Sequence, residues 1–205
     1  MKSAIQLKLI NRSKDAANNN IVVFQKNIGD VRYPRPIAWK VFSNVPMGNQ
    51  QSFNFPSGFQ ISAKDGWGQP ITKAMDVSKG HRYAVCKDSF GGQIRKRGSS
   101  SHHRTIEIAN NLNKENILAE LYKDGKLLAK RTHISPQDAA NFRFKSSIWL
   151  GVVRQVNEGE IIPAKVLDDI QNEIHLKGII SADIVLTGDE FTGYQFNLDN
   201  ILFQD

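Results

Sequence analysis

The chain has 205 residues, 40% of them apolar and 23% charged, enough to bury a core and too apolar for global disorder. Fifteen glycines and seven prolines are ordinary counts, which excludes collagen-like and proline-rich architectures. The net charge of +7 is uneven: residues 1–78 carry +6, residues 79–104 another +6, and residues 105–205 carry −5.

Strand patterns dominate the first 155 residues. Ile5, Leu7 and Leu9 alternate with Gln6 and Lys8, a half-buried strand. The run Ile21-Val22-Val23-Phe24 predicts a strand covered on both faces. Pro34-Arg35-Pro36 breaks the chain before a third strand over 37–42. Phe53, Phe55 and residues 59–61 flank Pro56 and Gly58, predicting a strand after an aromatic-rich loop. Residues 65–70 form a turn cluster around Trp67, and strands are expected over 82–87 and 105–109, either side of a polar basic loop. Asp124-Gly125 between two apolar segments predicts a tight hairpin, because both residues tolerate positive φ. Phe142 and Phe144 alternate ahead of the apolar run ending at Val153.

One segment departs from this. Pro163 suits a first helical position, and Val166, Leu167, Ile170 and Ile174 share a helical face, predicting a short amphipathic helix that ends near Gly178. Two closing strands follow, over 180–186 and 194–198. The expected fold is mainly β: one domain over residues 1–205, a single antiparallel sandwich or barrel-like sandwich of roughly ten strands with one short helix. No repeat of 20–50 residues is visible.

Gln6 and Lys8 interrupt any apolar signal-peptide region, and the run 148–153 is far shorter than the ~18 residues that span a bilayer. Cys86 is the single cysteine, so no intramolecular disulfide forms. A cytoplasmic location follows as the expectation, with non-classical export as the alternative.

Phosphate loops, nucleophile elbows, zinc-protease motifs and cysteine pairs are all missing, so no catalytic residue, cofactor or metal is expected. Cys86 beside Lys87 and near His81 fits a buried core thiol better than a nucleophile. His102-His103, if extended, would point to opposite faces and could not share one ion. The acidic group Glu158, Glu160, Asp168, Asp169 and Glu173 lacks the spacing of a calcium loop and suits a solvated helix face.

The strongest feature is the basic stretch carrying Arg95, Lys96, Arg97, His102, His103 and Arg104, with Gly98 to Ser101 as a mobile tip. It suits an anionic partner. Without interleaved aromatics it does not suit a specific nucleic acid. Trp39 and Trp149 are expected in the core, and Trp67, between two glycines, at the surface.

With 29 Asn and Gln side chains and a split charge, the sequence predicts a non-enzymatic protein that acts by association. Itself is the expected partner, as a homo-oligomer or extended assembly, with Arg95, Lys96, Arg97 and Arg104 meeting the acidic 158–173 region of a neighbour. The alternative is a ligand-binding module, lectin-like or acting on anionic glycan or lipid surfaces, that presents Trp67 and the basic stretch.

Overall fold

The computed structural model describes residues 4–16, 19–29 and 35–204, so Pro34 of the expected chain break lies outside the described residues. The chain divides into two compact units. Unit 1 holds residues 1–25, 35–57 and 146–205, and unit 2 holds residues 26–34 and 58–145.

The chain starts in unit 1 with β1 (Ala4–Asn11), β2 (Asn20–Phe24), β3 (Lys40–Phe42) and β4 (Gln50–Pro56). It then builds unit 2 from β5 (Phe59–Asp65), β6 (Met75–Val77), β7 (His81–Asp88), β8 (Gly91–Ser99), β9 (Thr105–Asn110), β10 (Ile117–Lys123), β11 (Lys126–Ile134) and β12 (Ala139–Arg143). It returns to unit 1 with β13 (Ser147–Val153), α1 (Ala164–Asp168), β14 (Asn172–His175), β15 (Ile179–Asp189) and β16 (Gly193–Phe203).

Unit 1 has a mixed sheet, β16-β15-β1-β4, with β1 and β15 parallel, and an antiparallel sheet, β14-β13-β2-β3. Unit 2 has a mixed sheet, β12-β9-β7-β8, with β7 and β9 parallel, and an antiparallel sheet, β11-β10-β5-β6. In all four sheets the strands run fourth, third, first, second in chain order. The expected single sandwich of ten strands is therefore corrected to sixteen strands in four sheets among the described residues. Strands far apart in sequence are neighbours here, and turn spacing alone carries no information about that.

In unit 1 the sheets meet through aromatic contacts. Trp39 packs edge-on to Phe55 at 5.3 Å, and Phe42 of β3 meets Phe53 of β4 at 5.2 Å. Burying such rings supplies the dominant stabilising term. A second cluster joins Val22, Phe24, Val153, Val156, Ile162 and Ile170. All four residues Ile21 to Phe24 are fully buried, as a central strand between β13 and β3 requires. In unit 2, Phe59 of β5 stacks on Phe144 at 6.1 Å, and the hairpin turns at Asp124 (φ 55°) and Gly125 (φ 71°).

Four local expectations change. The aromatic-rich stretch with Phe53 and Phe55, expected as a loop, is the strand β4, because β1 offers it a ladder partner. Residues 37–42 yield only the short β3, although Trp39 is buried as expected. Trp149 is half-buried, stacked on Phe24 at 6.4 Å, because β13 turns that side chain toward the partly open face. The helix spans five residues: Ile174, assigned by periodicity to its apolar face, instead pairs with Ile148 in β14. The ladder offered by β13 outweighs a weak helical pattern. No helix among the described residues is long and apolar enough to cross a membrane.

Candidate functional site

The basic stretch is a strand and a turn, not a loop with a mobile tip. Arg95, Lys96 and Arg97 lie exposed on β8, an edge strand of unit 2, and Gly98 and Ser99 pair with Arg82 and His81. The tip is tied into the ladder because β7 supplies it a partner. Arg95 is held by Asp88 at 2.7 Å and by the side-chain oxygen of Gln93.

The following turn is pinned by Ser100, whose hydroxyl donates to the carbonyls of His102 (2.8 Å) and Thr105 (3.0 Å). This segment is a turn rather than a strand, and in it the rings of His102 and His103 stack with centroids 4.5 Å apart. Desolvation, then the neighbouring His103, Arg143 and Arg104, push the His102 imidazole below the ordinary histidine range. Arg104 is exposed beside them. Among the described residues no three His, Cys, Asp or Glu side chains gather as a metal site.

Elsewhere in unit 2, β5 runs into a rigid turn. The Asp65 carboxylate accepts from the backbone N–H groups of Trp67 (2.9 Å) and Gln69 (2.8 Å), and Gly68 takes φ +87°. This holds Trp67 outward, 91% exposed, at the rim of a cleft of about 760 Å³. Ile71, Lys87, Glu115, Thr132 and His133 also line that cleft. An apolar ring beside a few polar groups can stack on a sugar face while the polar groups bind hydroxyls. The cleft does not contain the basic stretch, so Trp67 and Arg95 to Arg97 are not brought into one site.

Cys86 is a half-buried free thiol whose sulfur faces the carbonyl of Gln93 at 3.7 Å. His81 lies five residues away on β7 and so points to the opposite face. The acidic group is scattered: Glu160 accepts from Asn157, and Glu173 accepts from Ser147 at 2.7 Å.

In unit 1 the edge strand β16 holds a feature not anticipated from the sequence. Its end, Ile201-Leu202-Phe203, is exposed, Leu202 by 56% and Phe203 by 58%. Asp199 is the one charged residue on the strand. Near its start the Asn172 side chain covers the outer edge, donating to the carbonyl of Tyr194 and accepting from the N–H of Phe196. A signal was present: three consecutive apolar residues break a period of two and force at least one side chain to the open face. Phe90 and Phe191 are likewise more than nine-tenths exposed, and no local pattern in the sequence marks them.

No protein-family model, curated protein or solved structure matches this chain.

Proposed function

We propose that the protein acts by association with its own copies through the open end of β16. The observation that carries this reading is the apolar, lysine-free edge at Ile201, Leu202 and Phe203. An edge strand presents unpaired N–H and C=O groups, and proteins normally guard such edges with lysines, prolines or bulges. This end has no lysine or proline, and its one guard is the irregular pairing with β15 around Asn200. Two copies pairing β16 antiparallel about a two-fold axis would extend the mixed sheet and cover the apolar side chains of both. Charge-guided contact through Arg95 to Arg97 is the weaker route, since Arg95 already pairs with Asp88.

Light scattering after size exclusion tests this on the untagged chain. An assembly larger than 23.0 kDa that persists at 0.5 M salt and is lost in Leu202→Lys/Phe203→Lys is expected. A species that falls apart with salt and ignores the substitutions would return the contact to the basic stretch. A monomer under every condition would remove the association reading.

The Trp67 cleft favours a second reading, a glycan-binding module. Stacking on an exposed indole accounts for affinity without any catalytic group. Glycan binding by the wild type and at least tenfold loss in Trp67→Ala, with unchanged melting, is the expected result. Equal binding by both proteins would place the ligand elsewhere.

A further inference from the structure

The sixteen strands spell one eight-strand pattern twice. Written β8-β7-β9-β12 and β6-β5-β10-β11, the sheets of unit 2 correspond strand for strand to β16-β15-β1-β4 and β14-β13-β2-β3 of unit 1. β1 to β8 thus match β9 to β16 in order. The match extends to single hydrogen bonds. Asn11 and Asn110 are both fully buried, and each accepts on its side-chain oxygen from the N–H two residues on, in Ser13 and Leu112. Each also donates to a backbone carbonyl at or just beyond the end of the third strand of its repeat, that of Val45 at 2.6 Å and that of Ile134 at 2.8 Å. Asn44 and His133, one residue before those carbonyls, share a positive φ of 53° and 55°. Asp88 and Asp189 each accept from the N–H of an exposed phenylalanine two residues on, Phe90 and Phe191.

Neither repeat, however, closes on itself. β1 and β2 of the first repeat pair with β15 and β13 of the second, while β7 and β5 pair with β9 and β10. Each unit is therefore half of one repeat and half of the other.

The charges follow this exchange. Residues 1–104 hold seventeen basic and five acidic side chains, and residues 105–205 hold ten basic and fifteen acidic. The parallel pair in unit 1 sets Lys8 opposite Asp183, with their charged groups 3.1 Å apart. The corresponding pair in unit 2 sets Arg82 opposite Glu107, 3.2 Å apart, so the same position is filled with the signs reversed. Lys64 and Glu120 form a third pair between the repeats, at 3.0 Å. In all three the cation comes from the first repeat and the acid from the second. Were the first repeat to close on itself, β1 would take the place of β9 and Lys8 would face Arg82. The second repeat closed on itself would set Glu107 against Asp183. Like charges directly opposite destabilise a strand pair, more so where the acids are as covered as Glu107 and Asp183.

We propose that the two halves of this chain are mutual partners, exchanging strands with each other and barred from self-closure by charge-reversed ion pairs. The recognition surface is the inner edge of each half-sheet, and its partner is the complementary repeat. This stands independently of the β16 reading.

The test cuts the full chain once, at a protease site inserted in the turn between Ser101 and His102. The uncut insertion protein must melt as the wild type does. Exchange predicts that the two pieces stay together without denaturant, so that the cut protein keeps the size of the uncut one. It also predicts that Gln6→Cys with Ser181→Cys, in a Cys86→Ser background, links the two pieces covalently, because those residues are register partners. Pieces of about half the mass that separate freely and do not cross-link would overturn it.

The charge code has its own arm. Arg82→Glu with Asp183→Lys makes each repeat complementary to itself and repulsive to the other, and should lower the melting temperature by about 5 °C or more. Adding Lys8→Asp and Glu107→Arg restores opposite signs across both exchanged pairs and should recover most of the loss. A double variant as stable as the wild type, or a quadruple variant no better than the double, would refute the charge code.

Discussion

β8 and β16 occupy the same place in two copies of one topology, the outer edge of a mixed sheet, and they are furnished in opposite ways. β8 carries Arg95, Lys96 and Arg97, all exposed, whereas β16 ends in Ile201, Leu202 and Phe203 with no basic residue. A strand whose outer backbone groups lack a ladder partner pairs with another chain unless something prevents it. Desolvating three cations would oppose pairing at β8, whereas at the end of β16 no charge does so and only the irregular ladder around Asn200 (φ 48°) interrupts the edge. The frame is shared, and what each unit can touch is set by a few edge side chains. Net charge follows the same division: unit 2 holds eighteen basic and nine acidic residues, and unit 1 nine and eleven.

The shared frame can be broken first. Asn11→Ala and Asn110→Ala each strip a buried amide and strand several backbone groups, at a cost of about 3 kcal/mol apiece. Chemical denaturation should show losses within about 1 kcal/mol of each other, since the two amides do the same work. Very unequal losses would mean that the match is one of topology alone. The next largest effect is expected at the apolar edge, where Leu202→Lys/Phe203→Lys should weaken self-association on the order of 30- to 100-fold, equivalent to about 2–3 kcal/mol. Smaller, and opposite in sign, is the effect at β8. Replacing Arg95, Lys96 and Arg97 by threonine should open a second association route and strengthen assembly roughly tenfold by light scattering. If that variant assembles no better than the wild type, the cations are not guards.

The smallest effect concerns pH. At the end of β10, buried Lys123 sits over the Phe59 ring at 4.3 Å, and desolvation, helped by Lys79, lowers its pKa to about 7. The folded protein resists this proton while the unfolded chain holds it up to about 10.5, so stability rises with pH between these values. From pH 7 to 8 the gain is at most about 1.4 kcal/mol for one proton. Gln25, just past the end of β2, is the corresponding residue and is also buried. Lys123→Gln should therefore flatten this part of the pH profile, measured by thermal melting at both pH values.

Much of this was legible locally. Alternation located β1, β15 and the start of β16, the unbroken apolar run located β2, and Asp124-Gly125 fixed the hairpin, since each signal depends on neighbours in sequence. Trp67 between two glycines pointed outward for the same reason. Pairing was not legible, because the partner of Leu9 is Ile184 and no property of Leu9 encodes that. The basic stretch became a strand through a ladder that β7 provides, just as Ile174 left the helix for β13. The repeat was hidden because a core demands volume and apolarity rather than identity: Leu9 and Ile108 fill equivalent places, as do Ile94 and Phe196. What survives unchanged, such as Asn11 with Asn110, Phe53 with Phe142, and Asp88 and Phe90 with Asp189 and Phe191, is too sparse to stand out by eye.

The exchanged halves also set a timetable for synthesis. Unit 2 is continuous over residues 58–145 and, apart from the short stretch at 26–34, has all its strands once β12 has been made. β1 to β4 leave the ribosome first, yet their partners β13 and β15 come last. At roughly 5–20 residues per second, the first quarter waits on the order of 5–20 s after β4 for β13 to be made. Throughout that interval β1 and β2 lack their partners β15 and β13, and a neighbouring nascent chain offers the same complementary strands. The strand order that makes the two repeats interdependent thus makes the early chain a substrate for chaperones, and a slowed final quarter would promote interchain exchange before any edge on the finished protein comes into play.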